Sequence, residues 1–276
     1  MRNKDELLSE FYQNLDFHHL ELLSNYAQVV FATPSLMADA ACKAGCHLVG
    51  PLPSSKERGD HLGDFLLPEG KFVVLSFGSV LDPYDFPEIT DSIVRATNAL
   101  GLKLVIGSRK FSKEHQLPEH VQVLPYLPIP RLIPSAEAYI HHGGANSFSE
   151  ALRLGARQIL IPLTTDQPIQ AHYLKQIDAG LTLPPQEVNH NAIEQALKVL
   201  GNPEHPIHNN IARLREEYRA ESGTSNFLTL ITDSLRGKIG IRKSWGLGSK
   251  IYLILTILFQ KVDMNFEVVN ETTHRN

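Results

Sequence analysis

The chain has almost no cysteine. Cys42 and Cys46 are its two thiols in 276 residues. Their C-x3-C spacing suits neighbours on one helix face, with no partner ligands elsewhere, so neither a disulfide framework nor a cysteine metal site is expected. They are read as reduced structural thiols. Long hydrophobic runs are missing too. The longest, Ile251 to Phe259, falls short of the roughly 20 residues that span a bilayer. The charged N-terminus, "MRNKDELLSEFYQNLDF", has no apolar core and so is not a secretory signal. There is no excess of basic charge. The net charge of −4 excludes general affinity for nucleic acid, although basic residues gather late, in "RGKIGIRKSWGLGSK". Neither the dinucleotide fingerprint G-x-G-x-x-G nor an Asp-x-Asp metal pair occurs. What is present, 42% hydrophobic and 20% charged residues, describes an ordinary globular protein of one large or two small domains, expected in the cytoplasm.

From about Lys71 onward, short β-branched runs alternate with longer helical patterns. "KFVVLSFG", "LKLVIGS", "HVQVLPYLP", "AEAYIHH", "RQILIPL" and "LTLP" read as strands. "PEITDSIVRATNALG", "NSFSEALRLG", "PIQAHYLKQIDAG", "NAIEQALKVLG" and "HNNIARLREEYRAES" read as helices. Repeated strand-then-helix order predicts an α/β fold with a doubly wound parallel sheet, because parallel strands need crossover connections. Before residue 70 the pattern is weaker. "YAQVVFATP" and "CHLVGPLP" read as strands, "SLMADAACKAG" as a helix, and "PSSKERGDHLGDF" as a polar linker. The tail after about Ser234 has no place in the pattern.

The stretch His141 to Glu150, "HHGGANSFSE", concentrates polar chemistry at one strand-to-helix junction. Ligands of open α/β sheets bind at the carboxyl ends of strands. A helix N-terminus offers free N–H groups and partial positive charge, and glycines let backbone approach an anion closely. A phosphate cradle follows from these features; a plain N-cap by Asn146 or Ser147 is the alternative. Glu150 shares a helical face with Asn146 and Ser147, one turn beyond the cradle, where a carboxylate reaches ribose hydroxyls. A solvated helix charge is its alternative. After the next strand, Asp166 and Gln167 combine an acceptor-only carboxylate with a donor–acceptor amide, a pair suited to polyhydroxylated ligands or to a turn and cap before Pro168.

In order, "HHGGANSFSEALRLGARQILIPLTTDQ" resembles the nucleotide-sugar motif of family 1 glycosyltransferases, the UDP-glycosyltransferase and macrolide-glycosyltransferase group, and "VVLSFGS" resembles the strand and loop that open their C-terminal domain. The resemblance covers about Lys71 to Ser234. It implies the C-terminal, Rossmann-like half of a GT-B fold and a UDP- or dTDP-sugar donor bound without a metal. By the same resemblance, His142 and Ser147 contact the donor diphosphate with Asn146 and the Gly143–Gly144 backbone. Ser79 reaches the distal phosphate, Glu150 holds the ribose, and Asp166 and Gln167 bind sugar hydroxyls. Tyr126 stacks on the base, and Leu127 offers it backbone hydrogen bonds; a half-buried tyrosine at a strand end is the alternative for Tyr126. Two departures stand out: Ala156-Arg157 replaces the usual Val-Pro, and Ile129 stands where glutamine is common.

The resemblance also implies an absent part. In this family a histidine in a Gly-His turn near the start of the first domain deprotonates the acceptor hydroxyl, with inversion at the anomeric carbon. His18 and His19 follow no such turn and read as an exposed helix face, so the catalytic residue is unassigned. The expected organisation is a remnant of the N-terminal acceptor domain and linker (1–70), a donor-binding domain (71–235) and a tail (236–276). Two functions stay open: transfer of a hexosyl group to a hydroxyl of a small or lipid acceptor, or a non-catalytic nucleotide-sugar-binding subunit that needs a complementary N-terminal chain. The basic tail and "IYLILTILF" also allow contact with a membrane surface, against a docking segment or unselected extension.

Overall fold

The computed structural model describes residues 29–33, 35–36, 47–51, 66–110, 117–164, 166–220 and 223–235. The readings made for His18, His19, Cys42, Cys46, the linker and the tail beyond residue 235 lie outside them.

Two short strands, β1 (Val29–Val30) and β2 (His47–Leu48), pair in parallel. The main sheet holds six parallel strands: β3 (Phe72–Ser76), β4 (Lys103–Gly107), β5 (Val121–Leu124), β6 (Ala138–His141), β7 (Gln158–Leu160) and β8 (Leu181–Thr182). Their spatial order is β5-β4-β3-β6-β7-β8. The chain therefore runs outward from β3 to β5 and returns to lay β6 beside β3. That reversal is a topological switch point, where the carboxyl ends of two adjacent strands part and leave a crevice. Ser76 pairs with His141 across it.

Among the described residues, seven α-helices accompany these strands: α1 (Pro87–Ala99), α2 (Ile129–Leu132), α3 (Ala145–Leu154), α4 (Gln167–Gln176), α5 (His190–Gly201), α6 (Ile207–Ala220) and α7 (Gly223–Leu235), the last three following β8. Because side chains alternate along a strand, β3 feeds two cores. Val73 and Leu75 pack with Ile93 and Leu197, whereas Phe72 and Val74 pack with Leu132, Tyr139 and Ala151. Both faces are covered, as a doubly wound sheet requires. Each fully buried aliphatic side chain is worth roughly 1.5–3 kcal/mol. An exposed ion pair such as Lys198–Glu194 is screened by water and adds little, so burial dominates.

The predicted strands and helices from Lys71 to Ala220 are all present within a few residues. Two helices were not anticipated, α2 and α7. Helix α7 carries a Ser/Thr-rich sequence of weak helix propensity and is held by tertiary contacts. Gly223 N–H donates to the Pro51 carbonyl at 3.1 Å, Asn226 Nδ2 donates to the Val49 carbonyl at 2.9 Å, and Phe227 meets Phe31 edge-on at 5.4 Å. Of the described residues before residue 70, Ala32 and Leu36 belong to the main core. The Ala156-Arg157 departure has a structural role away from the crevice. Ala156 is buried, and Arg157 bonds the Glu137 carboxylate at 3.1 Å and the Ala136 carbonyl at 2.8 Å.

Candidate functional site

Strand β6 ends at His141, and α3 begins four residues later, at the switch point. Its N-cap is Gly144, with no side-chain hydrogen bond to the helix end. The alternative of a plain N-cap by Asn146 or Ser147 therefore does not hold. Both stand inside the first turn, where their side chains are past the cap position. Gly144 gives the first-turn N–H groups no side-chain acceptor, and the helix dipole adds positive potential there.

His142 sits against two glycines. A Cβ on Gly78 would lie 2.7 Å from its Cε1, and one on Gly144 would lie 2.8 Å from the same atom. Ordinary carbon contacts are about 3.5–4.0 Å, so any larger residue at either position displaces the ring. Burial lowers the His142 pKa to about 4, and the Asp166 carboxylate pulls only partly the other way. The imidazole is neutral at pH 7. Its Nδ1 is buried without a partner. An orphaned lone pair is better tolerated than an orphaned N–H, which puts the proton on Nε2 as a neutral donor.

His141 is fully buried and neutral, with burial lowering its pKa to about 3. Gly143 N–H donates to its Nδ1 at 3.2 Å, so Nδ1 is unprotonated and Nε2–H donates to Gln158 Oε1 at 3.0 Å. This corrects one detail of the expected cradle. The Gly143 N–H is already engaged by His141, so the amides left for an anion are those of the α3 first turn. Gly143 is needed for its backbone, with φ at +87°.

Behind the cradle, the Tyr139 hydroxyl bonds the side chains of Ser147 and Ser76; burial raises its pKa to about 12 against those bonds. Ser147 is thus oriented by a neutral phenol. Glu150 is partly buried and gripped by Arg153, with Oε1 to Nη2 at 2.5 Å and Oε2 to Nε at 3.2 Å. It is a fixed carboxylate rather than a free surface charge.

Asp166 accepts from Gln170 Nε2 at 3.2 Å and lies near enough to His142 to act on it. Gln167 is buried, and its Oε1 accepts from the Leu163 and Thr164 amides at 2.7 and 2.8 Å. Its oxygen braces the preceding loop, which leaves its amide group as the part that can meet a ligand. Ser79 is exposed beyond β3, and its carbonyl accepts from the Arg109 guanidinium. Tyr126 is 65% exposed, not half-buried. The Leu127 carbonyl accepts from Ile129 N–H at 2.9 Å. Ile129 itself packs on the core that Leu132 and Tyr139 share.

Sequence reasoning missed Asp82. Its buried carboxylate accepts from Ser108 Oγ at 2.7 Å and from the Arg109, Tyr84 and Lys110 amides at 3.0, 3.1 and 3.3 Å. Burial pushes its pKa up, but these bonds outweigh it and the net shift is down. Asp82 ties the loop after β3 to the loop after β4, and so places Arg109 beside Ser79. An aspartate before a proline reads as an ordinary turn, which hid it. Among the described residues, no group of three His, Cys, Asp or Glu is close enough to hold a metal ion. No described helix is long and apolar enough to cross a membrane.

Residues 91–228, half of the chain, match the family described as erythromycin biosynthesis protein CIII-like, C-terminal domain. The chain belongs to that family. Among its relatives, an uncharacterized UDP-glucosyltransferase, YdhE, of Bacillus subtilis is 26% identical over 198 residues, covering 70% of this chain and 49% of that protein. The 10-deoxymethynolide desosaminyltransferase of Streptomyces venezuelae is 30% identical over 128 residues, covering 45% of this chain and 30% of that one. This chain spans about half the length, or less, of the curated relatives it matches. Among solved structures, the glycotransferase of kitacinnamycin aligns with a TM-score of 0.64 at 23% identity, covering 76% of this chain and 55% of that one. The spinosyn rhamnosyltransferase SpnG complexed with thymidine diphosphate aligns at 0.60 and 21%, covering 74% and 56%. The relatives are glycosyltransferases, and the sheet is that of the GT-B glycosyltransferases.

Proposed function

We propose that this chain is the donor-binding half of an inverting glycosyltransferase, which moves a hexosyl group from a UDP- or dTDP-sugar to a hydroxyl of a small or lipid acceptor. The observation that carries the reading is the uncapped helix N-terminus at the switch point, with the neutral His142 Nε2–H set beside it. An uncapped helix end and a neutral N–H donor suit a diphosphate. In support, relatives matching half of this chain are named as sugar transferases, and SpnG was solved with thymidine diphosphate.

In this reading the diphosphate lies on the first-turn amides of α3, with Ser147 and His142 as donors and Ser79 at the distal phosphate. Asn146 supports the cradle. Glu150 accepts from the ribose, and the exposed ring of Tyr126 stacks on the base beside Leu127. Asp166 and the Gln167 amide meet the sugar hydroxyls. The acceptor oxygen attacks the anomeric carbon from the face opposite the diphosphate, the carbon–oxygen bond to phosphate breaks, and the pair of electrons leaves on the diphosphate. Fixed donors stabilise that charge without reorganising. The acceptor proton goes to a base on a complementary N-terminal domain, in the same chain or another. Metal is not required for the charge balance, and the donor binds equally in EDTA.

The test is calorimetry of the folded chain with UDP and dTDP, with and without EDTA, followed by mass spectrometry of acceptor mixtures incubated with UDP-glucose. A missing general base typically costs roughly 10²–10⁴-fold. The expected result is nucleotide binding, negligible transfer by the chain alone, and transfer once a complementary N-terminal half is added. Failure to bind either nucleotide overturns the reading. Product from the chain alone, abolished by His18→Ala or His19→Ala, would place the base in the N-terminal segment instead.

A further inference from the structure

Buried at the start of β7 is a glutamine that packing does not explain. Gln158 is fully buried, and its Nε2 has no hydrogen-bond partner. A site needing only bulk would carry an aliphatic residue, as the neighbouring Ile159 and Leu160 do. Among the described residues, the one bond its side chain makes is to His141 Nε2 at 3.0 Å.

We propose that Gln158 is a positioning residue: its amide oxygen holds His141 as the neutral Nε2–H tautomer, so that Nδ1 grips the Gly143 N–H and sets the 142–144 loop for diphosphate. The inference rests on the diphosphate reading above. A three-member line runs from Gln158 Oε1 through the imidazole to the Gly143 amide. Its polarity works one way only. An acceptor at 158 forces the proton onto Nε2, which leaves Nδ1 as a lone pair, and only a lone pair can take the Gly143 N–H. A protonated ring donates from both nitrogens, and its Nδ1–H then confronts the Gly143 N–H. Gly143 has little room to adjust, because a Cβ there would meet Leu160 Cδ2 at 2.7 Å and φ is already +87°. A shift in this loop moves His142, the next residue, and the start of α3.

The surroundings explain why the amide, and not a carboxylate, stands here. The ring of Tyr139 stacks on His141 at 4.6 Å, 15° from parallel. The register neighbours of His141 on the adjoining strands are Ser76 and Leu160. The titratable groups beside it are thus Tyr139, a neutral phenol stacked on the ring, and His142, whose own protonation would repel a charge on His141. Gln158 supplies the same acceptor oxygen as glutamate would, without the charge that favours an imidazolium.

The experiment measures UDP affinity of the full chain from pH 6 to 8.5 for wild type, Gln158→Glu, Gln158→Met and the double variant Gln158→Glu/His141→Asn. The His141 and Gly143 nitrogens are followed by 15N NMR. Wild type should bind with little dependence on pH beyond that of free UDP. In Gln158→Glu the glutamate raises the His141 pKa, so affinity should fall at least tenfold at pH 6 and recover as pH rises, in step with loss of the His141 proton. Gln158→Met should weaken binding by a similar factor at every pH. Asn offers an oxygen where His141 has Nδ1 and cannot be protonated, so the double variant should lose the pH dependence. A His141 that becomes protonated in Gln158→Glu while UDP affinity stays at the wild-type value overturns the proposal. So does a Gly143 amide resonance that ignores the change. Should Gln158→Glu fail to fold, wild-type affinity in Gln158→Met overturns it equally. A folded wild type that binds no UDP instead overturns the diphosphate reading, and the Gly143 resonance still decides the pairing.

Discussion

Gly144→Ala separates the role of His142 from the stability of the fold. The backbone at Gly144 has φ −57° and ψ 140°, a conformation alanine adopts freely, so the substitution adds no backbone strain. By restricting the unfolded chain it even favours folding, by about 0.4–1 kcal/mol. The added methyl, however, clashes first with His142 Nε2 and lies 2.8 Å from its Cε1. The ring must retreat by about 1 Å to regain an ordinary contact. The same edge of the ring lies against Gly78, which restricts where it can go. A displaced Nε2–H no longer reaches a phosphate oxygen. A hydrogen bond to a charged group is worth about 1.5–3 kcal/mol, so UDP and dTDP should bind roughly ten- to a hundred-fold more weakly. Uridine and thymidine, which carry no phosphate, should be unaffected. Calorimetry gives the affinities, and a thermal melt should move by no more than a few degrees, since about 1 kcal/mol shifts a domain of this size by roughly 2–4 °C. Unchanged UDP affinity in a folded variant would refute the reasoning, as would equal weakening of nucleoside and nucleotide.

Two further outcomes follow from the same geometry. Glu150→Ala should weaken UDP roughly tenfold or more and leave pyrophosphate unchanged, because it removes a ribose contact; Arg153→Ala, which releases the grip on Glu150, should act in the same direction by less, and equal loss for both ligands by calorimetry counts against the assignment. Stability should fall with acid: burial takes His141 and His142 from 6.5 to about 3 and about 4, so the unfolded chain binds more protons and stability is lost as pH drops from about 6.5 towards 3. At pH 5 each histidine costs about 2 kcal/mol relative to pH 8, urea midpoints should show the decline, and His141→Asn should remove about half of it; a flat profile between pH 7 and 5 contradicts the burial of both rings in neutral form.

Much of this architecture is written in local patterns. Strand runs such as "FVVLS" and helical spacing such as "PEITDSIVRATNA" depend on neighbours a few residues away, so order, class and the HHGG junction are legible in the sequence. The polar residues of one loop are also local, which is why His142, Ser147 and Glu150 could be named together. What each donor is bonded to depends instead on strands brought side by side. Gln158 reaches His141 only because β7 pairs with β6, and that contact takes the Gly143 N–H from the cradle and gives it to an imidazole. Asp82 meets Ser108 and Arg109 because β3 pairs with β4. Helix α7 forms where Val49, Pro51 and Phe31 receive it, although its Ser/Thr-rich sequence has little helical preference of its own. Local propensity and periodicity act over a few residues. Hydrogen-bond partners and the protonation of buried rings are settled by groups far along the chain, and those meet only once the sheet has formed.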